Sequence, residues 1–216
     1  VVKVPGKSLQ LFGVIGIVTL AFAVSVFLRR GISARAATNT SPTYDSKGQM
    51  LPPENYREWI YLTSGVDMSY TPKMDGMEGQ STFDNVFVNP EAYRSFIATG
   101  TWPDKTIMVL ESRQAGSKGS INQHGHFQSG GVMDLEVHVK DEARFPGKWA
   151  FFSFDPKAGN GSLQPQKAAC YTCHVSHAAV DTTFVQFYPT LFPISTSKGT
   201  LSVAFLKDEK SNGSGK

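Results

Sequence analysis

The chain opens on one long apolar run and then changes to short alternating segments. Leu9 to Leu28 is uncharged and carries only Gln10, Thr19 and Ser25 as polar side chains. As a helix, such a run spans about 30 Å, the thickness of a bilayer core. Lys3 and Lys7 precede it, and Arg29, Arg30 and Arg35 follow, so flanking charge does not set an orientation. The run is longer, and more basic behind, than an ordinary cleaved signal, which favours a retained anchor. "ARAA", Ala34 to Ala37, nonetheless offers a cleavage site after Ala36. Residues 1–36 are therefore expected to be a signal peptide or transmembrane anchor, one N-terminal hydrophobic helix. Residues 37–49 read as a polar linker, 50–195 as the folded domain, and 196–216, ending in "KDEKSNGSGK", as a solvated tail.

Within the domain the period of two dominates. The second half of "NYREWIYLTSG" (Asn55 to Gly65), "TFDNVFV" (Thr82 to Val88), "KTIMVLESR" (Lys105 to Arg113), "VMDLEVHVK" (Val132 to Lys140) and "WAFFSF" (Trp149 to Phe154) read as strands. Alternation puts Leu135, Val137 and Val139 on one face and Glu136, His138 and Lys140 on the other. "NPEAYRSFIATG" reads as a helix, with Asn89 as N-cap, Pro90 in the first turn and Gly100 as the stop. Its buried face should hold Tyr93, Phe96 and Ile97. The expected fold is α+β: mainly antiparallel β-sheet with a few short helices, one domain behind the hydrophobic segment.

Composition changes this picture little. Roughly 150 residues are enough for one domain with a real core. The formal charge is +3, and much of the basic excess flanks the apolar run. No basic stripe points to nucleic acid. Aromatic residues make up 12% of the chain, which suits an apolar cofactor pocket as well as an ordinary core.

The chemistry concentrates in "KAACYTCHVSH", Lys167 to His177, which holds the chain's two cysteines. Cys-x-x-Cys-His is the attachment pattern of a c-type haem. Cys170 and Cys173 can each form a thioether to the haem edge, and His174 can ligate the iron. A redox dithiol needs no histidine after it. A zinc site would crowd Cys170, Cys173, His174 and His177 into eight residues around a tetrahedral shell. A disulfide here would close almost no loop. Haem c is therefore the reading, and His177 is read as a surface residue. Covalent haem attachment takes place outside the bacterial cytoplasm, which orients the domain to the periplasmic side of its N-terminal segment. The last methionine, Met133, precedes the motif, unlike the arrangement in small electron-carrier cytochromes. The strand-rich pattern also excludes a four-helix cytochrome.

Several blocks carry a family resemblance: "LPPENYREWIYLTSG", "FDNVFVNPEAYRSFIATGTWPDKTIMVLE", "LEVHVKDEARFPGKWAFFSF" and "AACYTCH…FVQFYP". In this order, from about Leu51 to Pro193, they resemble the cytochrome P-460 family, which includes the beta-type cytochromes c′. The resemblance implies a β-rich fold, a single covalently attached haem c, in many members a homodimer, and work with small nitrogen species. Some members oxidise hydroxylamine; others bind nitric oxide.

One departure limits the carry-over. Members with the P-460 chromophore tether the haem to a lysine, and the corresponding position in "WPDKTIMVLE" is Leu110. Lys105, five residues away, should point to the opposite face. The resemblance also implies a pocket carboxylate at Glu136, whose pKa burial should raise. Read without the resemblance, that polar face is simply solvated. Leu110, Phe83 and Phe87 are expected as apolar wall residues, with Met108 on the face of Leu110. An apolar distal side would leave the iron open to neutral diatomics. The sequence thus favours a membrane-anchored or secreted periplasmic mono-haem cytochrome that handles nitric oxide or another small nitrogen-oxide ligand and exchanges electrons with a redox partner. A hydroxylamine-oxidising enzyme using Glu136 as base is the alternative, and a simple electron carrier the third reading.

Overall fold

The computed structural model describes residues 40–68, 81–155 and 159–213. The hydrophobic run Leu9 to Leu28 and the cleavage site at Ala36 lie outside them. Among the described residues no helix is long and apolar enough to cross a membrane.

The period-two segments form one six-stranded antiparallel meander in chain order. Its strands are β1 (Ile60–Val66), β2 (Thr82–Val88), β3 (Ile107–Gly116), β4 (Phe127–Lys140), β5 (Trp149–Phe154) and β6 (Ser162–Leu163). Among the described residues four short α-helices accompany them: α1 (Pro90–Thr99) connects β2 to β3, and α2 (Ala169–His177), α3 (Phe192–Lys198) and α4 (Val203–Gly213) follow β6. The fold is α+β, as the alternation implies. Strands β3 and β4 run longer than their apolar cores suggest, because a polar hairpin continues the ladder to Gly116 and Phe127.

The sheet has two covered faces. On one, Ile107, Val109, Val137, Val139, Ala150 and Phe152 form a core with Met50 and Tyr56. On the other, Val88, Met108 and Trp149 pack with Phe96 of α1, Trp102 and the C-terminal segment. Burial on both sides explains why "WAFFSF" is almost continuously apolar. A bulge between Tyr61 and Thr63 switches the parity of β1. Ile60 pairs with Val88, but Thr63 and Gly65 then continue that face, opposite Val86 and Asp84.

Helix α1 starts and stops where its punctuation directs. Asn89 sits at the N-cap without a side-chain cap bond. Its Oδ1 instead accepts the Ile107 N–H at 2.8 Å, pinning the helix to β3. Gly100 ends the helix at φ +76°, and a Cβ there would come 2.8 Å from Lys198 Cβ. The buried face holds Ala92 and Phe96, with Tyr93 at its edge. Ile97, expected inside, is exposed, because the sheet contacts a narrower stripe of the helix.

The domain extends past both boundaries drawn from composition. Before residue 50, the Tyr44 ring lies 5.9 Å from that of Phe152, the Thr43 carbonyl accepts the Leu51 N–H, and the Asp45 N–H donates to the Gln49 carbonyl. After residue 195, Phe205 of α4 enters the core with only 4% exposure. The charged and polar run from Lys207 onward hides it in the sequence: one buried aromatic side chain docks the start of the helix.

Candidate haem-binding site

Helix α2 carries Cys170, Cys173 and His174 at i, i+3 and i+4, so all three project from one side. All are half-buried. Neither thiol is in a disulfide. Burial pushes both thiols up from their ordinary pKa, the reverse of an activated redox cysteine.

His174 is set by the loop after the helix. Its Nδ1 lies 2.7 Å from the Thr182 carbonyl. A carbonyl only accepts, so Nδ1 is the donor and Nε2 keeps its lone pair. Burial lowers the His174 pKa, partly opposed by that hydrogen bond. The imidazole is thus held neutral, in the form that ligates a metal. His177 turns away, with Nδ1 2.8 Å from an Asp208 carboxylate oxygen on α4.

His174 borders a cleft that is open to solvent on one side. The sheet supplies one wall: Thr63 and Gly65 of β1, Asp84 and Val86 of β2, Met108 and Leu110 of β3, Glu136 and His138 of β4. Phe151, Phe184, Phe187 and Tyr188 enclose it on the side of α2. Met68 reaches it from the end of β1.

Glu136 and Leu110 both line this cleft as a cross-strand pair. Burial raises the Glu136 pKa, and the charges of Asp134 and Asp84 raise it further. Of the polar face of β4, Glu136 at the cleft is exposed, whereas the next two positions are buried. His138 and Lys140 are each 8% exposed, and Lys140 Nζ donates to the Trp102 carbonyl at 2.7 Å. Burial holds His138 neutral, well below its ordinary pKa, with the neighbouring His174 adding to the effect.

Phe83 and Phe87 are corrected. They point away from the cleft: Phe87 packs on Tyr56 and Tyr61 at 5.7 and 5.9 Å. Asp84 and Val86, one residue out of phase, take the wall positions. The wall is therefore mixed rather than apolar, with two carboxylates and Thr63. Asp84 accepts a hydrogen bond from Ser112 Oγ at 2.5 Å. Lys105 lies outside β3 at φ +63°, its ammonium paired with Asp141, so it does not replace a lysine at position 110.

The residue set fits a haem c: an oriented, neutral histidine lines an open, aromatic-walled cleft, and two thiols share its side of the helix. His138 shares the alternating face of Glu136, a signal present in the sequence. Asp84 and the aromatic residues after α2 carried no such signal.

The family model for cytochrome P460 matches residues 53–185. None of the curated proteins compared with the chain matches it. The chain belongs to the cytochrome P460 family and is a haem c cytochrome of that family.

Proposed function

We propose that this member of the cytochrome P460 family binds nitric oxide or another small nitrogen species on the open side of a single haem, attached through Cys170 and Cys173 and ligated by His174. The observation that carries the reading is the orientation of His174: Nδ1–H is committed to the Thr182 carbonyl, leaving Nε2 to ligate. The haem, when bound, supplies an iron coordination position for a neutral ligand. The chain's own residues do the rest. Phe151 and Phe184 pack against the His174 ring at 4.6 and 4.2 Å between centroids and hold its plane. Leu110 and Val86 keep part of the wall apolar, and two carboxylates oppose the entry of anions. The apolar run Leu9 to Leu28 supports a periplasmic protein, exported or anchored. An electron-transfer partner and a homodimer belong to the same reading, by family resemblance.

A second reading is favoured by Glu136. A carboxylate of raised pKa in the cleft is suited to take a proton from bound hydroxylamine. Leu110 stands where tethered members carry lysine, which weighs against oxidase chemistry that depends on the tether.

The test is the absorption spectrum of the dithionite-reduced, haem-loaded protein, before and after nitric oxide. An ordinary five-coordinate ferrous spectrum that shifts on adding the gas is expected. A strongly red-shifted Soret band would indicate a tethered haem and move hydroxylamine oxidation to the front. A six-coordinate spectrum unchanged by nitric oxide would overturn both readings in favour of an electron carrier.

A further inference from the structure

We propose that His138 is a positioning residue for the axial histidine, acting through Thr182. The inference rests on His174 as the iron ligand.

His138 is the next residue after Glu136 on the cleft face of β4. Its ring stacks on Phe151 at 4.0 Å and 11°, contacts Trp149 at 4.4 Å, and meets His174 edge-on at 5.2 Å. A phenylalanine would satisfy that aromatic niche without burying a ring nitrogen. The nitrogen is used: Nε2 lies 3.1 Å from Thr182 Oγ1. Thr182 is the residue whose carbonyl accepts the His174 Nδ1–H. One threonine is thus held through its hydroxyl by a fixed strand and holds the proximal imidazole through its carbonyl.

The neighbouring residue is held from the same strand. Asp181 adopts left-handed backbone at φ +51°, and its carboxylate accepts from Lys140 Nζ at 3.3 Å. Val180 and Thr183 close the turn with reciprocal backbone bonds. Two alternate side chains of β4, His138 and Lys140, therefore clamp two successive loop residues. The direction of the Thr182 carbonyl follows, and with it the plane of the His174 ring and the strength of its hydrogen bond. A strong Nδ1–H bond to a carbonyl makes a ligating histidine more basic and stabilises the oxidised metal.

Releasing the clamp should weaken that bond. In the haem-loaded protein, His138→Phe keeps the stack and removes the hydrogen bond. Thr182→Val removes the hydroxyl and keeps the carbonyl, and Thr182→Ser keeps both. The readouts are the iron–histidine stretching band of the ferrous protein by resonance Raman and the midpoint potential. His138→Phe and Thr182→Val are each expected to move the band to lower frequency and raise the potential. The double variant should move them no further than either single one, and Thr182→Ser should match the wild type. A band and potential unmoved by Thr182→Val, or shifts that add in the double variant, would overturn the proposal. Thr182→Val decides the matter even if His138→Phe does not fold. Absence of any iron–histidine band in the wild type would instead sink the assignment of His174 as ligand.

Discussion

Leu110 of β3 and Glu136 of β4 stand directly opposite each other, and both line the candidate haem cleft. What occupies position 110 therefore sets the environment of this cleft-lining carboxylate. An ammonium beside Glu136 would lower the pKa that burial, Asp134 and Asp84 raise. A pH titration of the ferric absorption spectrum should show an inflection above the ordinary carboxylate range. It should vanish in Glu136→Gln and move down in Leu110→Lys. An inflection that survives Glu136→Gln would assign it to another group.

Glu136 also makes stability depend on pH. Its native pKa lies above the unfolded value, so the native state holds the proton more tightly. Stability is fully present below the unfolded value and is lost as pH rises through the native one. Glu136→Gln removes that loss. In urea unfolding the variant should match the wild type near about pH 4 and exceed it near about pH 8. A constant difference across that range would mean the carboxylate is not the source.

The parity of β2 can be tested by two neighbours. Val86 faces the cleft, and Phe87 packs on the other side against Tyr56. Val86→Phe should slow nitric oxide binding by filling the cleft. Phe87→Leu should leave binding rates unchanged and cost about 1 kcal/mol or more of stability through lost packing. Stopped-flow binding and urea unfolding of the two variants check both outcomes.

On the face away from the cleft, Glu111 is 2% exposed and takes hydrogen bonds from Tyr56, Arg57 and Arg113. Burial alone would raise its pKa, but these bonds and charges outweigh it and hold the carboxyl below its ordinary value. Its stabilising effect is present above the unfolded pKa and lost as pH falls through the native one. Tyr56→Phe leaves one acceptor short, at about 1–3 kcal/mol. Acid unfolding followed by circular dichroism should begin at a higher pH in the variant. Coincident acid curves would show that the tyrosine hydroxyl contributes nothing to that carboxylate.

Helix α4 belongs to the domain through Phe205. Phe205→Ala should cost about 3–5 kcal/mol, as for a buried core aromatic. Deletion of residues 196–216 should lower the melting temperature at least as far. A deletion that leaves the melting temperature unchanged would return this segment to the status of a tail.

Much of the site was legible because it depends on local geometry. The i, i+3, i+4 spacing of Cys170, Cys173 and His174 needs only a helix to bring them to one side. The period of two needs only a strand to align Glu136, His138 and Lys140. The element boundaries around α1 follow from Asn89, Pro90 and Gly100, whose conformational preferences act within a few residues.

Tertiary structure decided what depends on partners distant in sequence. Strand β2 is apolar in both phases, with Phe83 and Phe87 in one and Val86 and Val88 in the other. Alternation could not choose between them; pairing of Val86 with Leu110 did. The bulge after Tyr61 reverses parity at a point no residue type marks. Phe205, just before the charged run Lys207 to Lys210, became a core residue only because the fold packs it against distant segments. The hydrogen bond that orients His174 comes from a backbone carbonyl, and every residue has one. Which carbonyl it is follows from how β4, through His138 and Lys140, holds the loop at Asp181 and Thr182. Side-chain chemistry and local period are written into the chain, whereas register, loop placement and backbone acceptors emerge when distant segments pack.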